Sequence, residues 1–124
     1  MPSVQALEQF IARVESNAHV EAVLEFYTAD ASQQENQNPP RVGREAHAAN
    51  ERRVLARARS VSSLCVRPVL VDGDRVAIRW IFQFDWLDGT RTRMEEIAWQ
   101  RWEGDRIAEE IFFYDPAQRT PKPV

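Results

Sequence analysis

The sequence predicts an α+β domain. Its first third has the three- and four-residue apolar spacing of helices, its second half consists of β-branched and aromatic segments, and Gly73, Gly89 and Gly104 space those segments about 15 residues apart. Leu7, Phe10, Ile11 and Val14 follow Ser3, a residue type that caps helix starts through its hydroxyl, so a first helix runs from about 3 to 15. Asn17 is placed to cap a second helix. Glu21 suits the positive end of its dipole, and Val20, Val23, Leu24 and Tyr27 form its buried stripe to about Ala29. A link this short makes the pair a helical hairpin. Asp30 to Asn38 is polar, and Pro39-Pro40 forbids a helix across that point, so about 31 to 36 reads as a short polar strand. Gly43 opens a third helix, with His47, Val54, Leu55 and Ala58 inward and Arg52, Arg53 and Arg57 to the sides.

Strands at about 61–71, 76–86, 91–102 and 106–114 follow as an antiparallel meander, turned at Asp72-Gly73-Asp74, Asp88-Gly89 and Glu103-Gly104-Asp105. Strands this long exceed the usual length of roughly 5–6 residues, and long twisted strands curl. The hollow side then takes the helices. Residues 1–114 form a single domain, and 115–124 is an extended, proline-rich tail.

Sixteen basic and 19 acidic residues leave a net charge of −3, which argues against a nucleic-acid partner. The arginines of the third helix read as a solvated face, since arginine supplies every cation but Lys122. With 44% hydrophobic residues the chain is globular, and no apolar run approaches the roughly 20 residues of a membrane helix. No membrane partner is expected. Cys65 cannot form an internal disulfide, and Met1-Pro2-Ser3-Val4-Gln5 is neither basic nor apolar enough for a leader, so a cytoplasmic location is expected. Cys65 suits packing or a subunit interface. His19 and His47 lack metal-ligand spacing, and His47 reads as a core histidine with its bonds satisfied. Without a phosphate loop or nucleophile elbow, neither metal nor cofactor is expected.

If Asp88-Gly89 closes a two-residue turn, Leu87 faces Thr90, and counting outward puts Phe82 opposite Glu95 and Trp80 opposite Ile97. A two-residue Gly104-Asp105 turn puts Glu95 opposite Tyr114 and Trp99 opposite Glu110. The concave face then carries Trp80, Phe82, Glu95, Trp99, Glu110, Phe112 and Tyr114. The convex face carries Arg79, Ile81, Glu96, Ile111 and Phe113, too apolar for simple exposure, so a homodimer through it is expected. Glu95-Glu96 and Glu109-Glu110 stand on neighbouring strands, so either parity sends one carboxylate of each pair inward. A carboxylate among aromatic rings either finds a partner, as Glu96 could in Arg79, or rises in pKa and becomes a candidate acid or base.

The Asn36-Gln37-Asn38-Pro39-Pro40 stretch, Asp72-Gly73-Asp74 before Val76-Ala77-Ile78-Arg79-Trp80, and Trp102-Glu103-Gly104-Asp105-Arg106-Ile107 before Tyr114-Asp115 resemble the nuclear-transport-factor-2-like (NTF2-like) superfamily, in its SnoaL-like branch. The resemblance covers nearly the whole chain. It implies a cone in which three N-terminal helices pack on the concave face of a strongly curved mixed or antiparallel sheet around a pocket, usually in a homodimer. Members include ketosteroid isomerases, polyketide cyclases, limonene epoxide hydrolases, dehydratases and non-catalytic scaffolds. Matched to the epoxide hydrolases, the chain keeps Asn36 and Arg79, but Ile81 and Phe112 stand where the two acids belong, so that chemistry is not expected. The same match turns Arg79 inward, whereas the hairpin count turns it outward. The family's isomerases pair an Asp base with an oxyanion hole of Tyr and protonated Asp; here a glutamate and Tyr114 could play those parts.

The expected function is therefore a pocket for a small hydrophobic metabolite, with cofactor-independent isomerase, cyclase or dehydratase chemistry at Glu95, Glu110 and Tyr114. Tyr27, Asn36, Arg79, Trp80, Phe82, Trp99 and Phe112 would bind the substrate. The competing expectations are a ligand-binding protein without catalysis and a dimeric scaffold.

Overall fold

The computed structural model describes all residues, Met1–Val124. Helix α1 (Val4–Glu15) starts as its sequence directs: the Ser3 hydroxyl accepts the Ala6 N–H at 3.1 Å. Asn17 does not cap the next helix. It takes the left-handed conformation (φ 68°) that ends the first one, and Ala18 stands at the N-cap of α2 (His19–Phe26). Helix α2 is three residues shorter than the periodicity suggests, because the chain turns extended at Tyr27 to begin β1 (Tyr27–Glu35). A two-residue strand β2 (Arg41–Val42) leads into α3 (Arg44–Ala56), whose buried residues are His47 and Ala48.

The four long strands fall where the turn spacing puts them: β3 (Ala58–Asp72), β4 (Arg75–Trp86), β5 (Thr90–Glu103) and β6 (Arg106–Phe113). They form an antiparallel meander, and β1 joins its end parallel to β6, so the sheet is mixed, curled and unclosed, in the order β2-β1-β6-β5-β4-β3. The tail is not simply extended. A short 3-10 turn, Pro116–Arg119, is capped by the Asp115 carboxylate, and β7 (Lys122–Pro123) pairs with the start of β5.

Register departs from the simplest count at two places, and the two departures partly cancel. Asp85 faces Arg91 and Phe82 faces Met94, so the β4–β5 connection has three residues, Leu87-Asp88-Gly89. Gly89 takes φ 88°, a conformation that costs a side-chain-bearing residue, and the Asp88 carboxylate accepts the Thr90 N–H at 3.0 Å. This one-residue slip inverts β5. Thr92, Met94, Glu96, Ala98, Gln100 and Trp102 face the helices, while Glu95, Ile97 and Trp99 face out. The Gly104-Asp105 turn does have two residues, with Glu103 opposite Arg106, but a bulge at Arg101/Trp102 shifts the ladder so that Gln100 meets Glu110. Glu110 and Phe112 therefore face inward, as the count had them.

The core lies between α1, α2 and this concave face. Phe10, Ile11, Val23 and Phe26 pack on Val76, Ile78, Trp102 and Ile107, and Phe10 meets Trp102 edge-on at 5.9 Å. On the convex face Arg79 pairs with Glu95 at 3.4 Å and Arg75 with Glu109 at 3.3 Å, which settles Arg79 as outward; its partner is Glu95, not Glu96. No helix is long and apolar enough to cross a membrane.

Candidate ligand pocket and acid–base site

The core fills only part of the hollow. Beyond it, between α2, α3, the inner face of β4–β6 and the C-terminal turn, lies a pocket of about 800 Å³. Alternate residues of β4 share one face, so Trp80, Phe82, Phe84 and Trp86 form one aromatic wall. Trp80 stacks on Phe82 at 5.3 Å and Phe84 on Trp86 at 5.1 Å. The Arg57 guanidinium lies over the outermost ring, that of Trp86, at 5.3 Å. Arg119 and Pro121 bring the tail to the pocket.

The inner end is polar. Gln33 of β1, Glu110 of β6 and Gln100 of β5 are neighbours across the sheet and point the same way. The Tyr27 hydroxyl and Gln33 Nε2 (3.0 Å) donate to Glu110 Oε1, and Gln100 Nε2 donates to Oε2 at 2.6 Å. Further bonds orient each donor. Trp102 Nε1 donates to Gln100 Oε1 at 2.9 Å and Arg41 donates to Gln33 Oε1 at 2.7 Å, so neither amide can flip without losing a bond. Arg41 Nε also donates to His47 Nδ1, whose Nε2 then donates to Ala31 O at 2.6 Å. Burial pushes the Glu110 carboxyl up to about 7, against the stabilising effect of its three donors. Burial and the adjoining Glu110 push Tyr27 well above its ordinary value, so the phenol stays a donor.

A second carboxyl lies further out on the same face. Glu96 stands directly opposite Trp80, and no hydrogen bond reaches it. Burial, then the charges of Glu35, Glu110 and Glu51, push it up to about 8. Glu35 of β1 joins this outer group; its Oε2 is buried without a partner, and burial raises its pKa too. Tyr114 and Arg119 are bonded to each other at 3.2 Å beside them. Among His, Cys, Asp and Glu no group has the grouping of a metal site.

Of the residues singled out from sequence, Glu110, Tyr114, Tyr27, Trp80, Phe82 and Phe112 line the pocket. Glu95, Arg79 and Trp99 do not: they lie on the convex face, the first and last because β5 is inverted by the three-residue turn. Asn36 is not on the pocket wall either. At φ 51° it ends β1, and its side-chain carbonyl accepts the Tyr114 N–H at 3.0 Å. The groups sequence reasoning passed over are Gln33, Glu35, Arg41 and Gln100, while Glu96 is the alternative to Glu95 that the doubled glutamate leaves open.

No curated protein matches the chain significantly in sequence. Several solved structures share the fold. A hypothetical protein with a ketosteroid isomerase-like fold from Catenulispora acidiphila, in complex with trimethylamine, aligns at a TM-score of 0.77 and 16% identity, covering 94% of this chain and 89% of that one. A protein described as a SnoaL-like polyketide cyclase from Mesorhizobium loti aligns at 0.73 and 20% identity, over 89% of this chain and 97% of that one. An epoxide hydrolase from M. tuberculosis, of the LEH-like type, aligns at 0.75 and 16% identity, over 93% and 84%. The model of the SnoaL-like domain matches residues 7–110, nearly the whole of the cone, and the chain belongs to that family.

Proposed function

We propose that the chain binds a small, largely hydrophobic metabolite in this pocket and moves a proton on it without a cofactor, in an isomerase, cyclase or dehydratase reaction. The observation that carries the reading is the bonding of Glu110. Its two oxygens have about four acceptor positions, and Tyr27, Gln33 and Gln100 occupy three, two of them on Oε1. The open position is on Oε2. A carboxylate fixed by three donors, with one lone pair free and a proton affinity near neutrality, is matched to taking and returning a proton. Tyr27, held protonated, commits its one proton to Glu110 Oε1 and so fixes the carboxyl for that transfer. The aromatic wall excludes water and supplies contact area.

The same reading includes a homodimer. Ile97, Trp99 and Phe113, each about two-fifths exposed, stand on the convex face, and a second copy of the chain would cover them.

Ligand binding without chemistry is the second reading, favoured by the satisfaction Glu110 already has from its own protein. Exchange of α-protons of cyclic ketones in D₂O, followed by NMR, separates the two. Catalysed exchange that falls at least ~100-fold in Glu110→Gln supports acid–base function. Tight binding of such ketones with no catalysed exchange supports the second reading.

A further inference from the structure

We propose that the ligand of this pocket carries a protonated or quaternary amine, with Glu96 holding its charge beside the Phe82 ring and Glu35 facing the same charge. The inference rests on the pocket being the ligand site, and it assigns Glu96 a task separate from the proton transfer at Glu110.

Geometry comes first. Glu96 and Trp80 are directly opposed residues of β5 and β4, so their Cβ atoms are about 4.5–5.5 Å apart. Trp80 itself is 2% exposed, so the ring that a group beside the carboxylate meets is Phe82, which stacks on the indole and stays only partly buried. Aromatic faces are negative and attract cations, most strongly where water is excluded. The protein already uses the far end of this wall in that way, with Arg57 seated over Trp86.

Charge points the same way. The groups acting on Glu96 come from every element around it: Glu35 from β1, Glu110 from β6, Glu51 from α3 and Arg119 from the C-terminal turn. Each of the three carboxylates acts on it more strongly than Arg119 does, so the field at Glu96 is negative. The hydrogen bonds of the pocket cations go elsewhere, from Arg41 to Gln33 and His47 and from Arg119 to Tyr114, with Arg57 over the Trp86 ring; the charges of Arg119 and Arg41 act on Glu35 more weakly than its burial does. What is left over is acceptor capacity. Glu35 Oε2 is buried with no donor, and no protein donor reaches Glu96. A neutral hydrocarbon leaves these groups unsatisfied, and once ionised they repel an anion. A cation with an apolar body satisfies the carboxyls and covers the rings together.

Proton linkage gives the inference a signature. Glu96 holds its proton up to about 8 in the free pocket, so a cation must displace that proton and binds more tightly as pH rises. The probes are phenyltrimethylammonium, its uncharged isostere tert-butylbenzene, and benzenesulfonate, each titrated by tryptophan fluorescence at pH 6.5 and 8.5. The cation is expected to bind at least ~10-fold more tightly than tert-butylbenzene at pH 8.5 and to lose ~10-fold in affinity at pH 6.5. In Glu96→Gln both effects should disappear while tert-butylbenzene binding persists. Should that variant not fold, Glu35→Gln is expected to lower the cation preference in the same direction. Equal or tighter binding of tert-butylbenzene or benzenesulfonate overturns the inference, as does a cation preference that survives Glu96→Gln, or no binding of the cation. Proton exchange that depends on Glu110 is read independently, so either reading can fail alone.

Discussion

Arg41 donates from Nε to Nδ1 of His47 at 3.0 Å, and this bond fixes the histidine as its neutral, Nε2-protonated tautomer. A guanidinium is always the donor, so Nδ1 must be bare, and the ring's proton goes to Ala31 O. Burial lowers the pKa of His47, in keeping with that state. The other arm of Arg41 holds Gln33, which in turn holds Glu110. Arg41→Ala removes the donor from two buried acceptors at once, and is expected to cost about 1–3 kcal/mol in urea denaturation. It should also slow Glu110-dependent proton exchange, because Gln33 is no longer oriented. Unchanged stability and exchange would show that the network does not depend on Arg41.

Glu110→Gln tests the inner end directly. A glutamine keeps the shape but brings an NH₂ where the carboxylate had only acceptors. Gln100 cannot turn its carbonyl to meet that NH₂ without abandoning Trp102, and Gln33 cannot without abandoning Arg41. One donor is left facing a donor, so a loss of about 1–3 kcal/mol is expected in chemical denaturation at pH 8.5, where Glu110 is ionised, alongside the loss of exchange activity. A variant as stable as the parent would mean that Glu110 is protonated and already donates to one of these amides.

The elements of this fold were legible because they rest on local patterns. Ser3 caps α1, and the glycine spacing brackets β3 to β6. What was not legible is register, which turns on a single residue. An Asp-Gly pair fits a two- or a three-residue connection, and the choice decides whether Glu95 or Glu96 faces the pocket. The doubled glutamates made the presence of an inner carboxylate on β5 independent of that choice, while its identity was not. Glu110 and Phe112 were placed inward by a count that missed both the longer turn and the bulge, and the two omissions offset one another. The spacing puts Tyr27 on the buried stripe of the second helix, yet it opens β1 and bonds the buried Glu110. Gln33, Gln100 and Arg41 carry no signature of burial in sequence, since only the parallel pairing of β1 with β6 brings them around Glu110.

The convex face yields an association test. Arg75 already covers part of the Trp99 ring at 5.8 Å, and the ion pairs of Arg79, Glu95 and Glu109 surround an apolar strip. That arrangement of apolar centre and polar rim is the one subunit interfaces use. Sedimentation at micromolar concentration is expected to give a dimer. Trp99→Glu should give a folded monomer, since the residue points away from the core and its replacement leaves no internal cavity. A monomeric parent protein would remove the dimer from the proposal.

Stability should fall as pH rises from about 5 to 8, opposite to the trend set by ion-paired carboxylates. Glu96 holds its proton up to about 8 and Glu110 up to about 7, whereas in the unfolded chain both ionise near the ordinary value of 4.5. Between those limits the folded state carries more protons than the unfolded state, so raising the pH favours unfolding. The advantage is fully present below 4.5 and is lost as pH passes through about 7 for Glu110 and about 8 for Glu96. One pKa unit corresponds to about 1.4 kcal/mol; allowing for water in the pocket, a combined loss of about 2–4 kcal/mol is expected. Glu96→Gln isolates one share cleanly, because no protein hydrogen bond to Glu96 is broken by the change. Thermal melts should place the variant close to the parent at pH 5 and several degrees above it at pH 8.5. Parallel curves for the two proteins would show that Glu96 is ionised and solvated across the range, and with it the proton-linked tightening of cation binding would be lost.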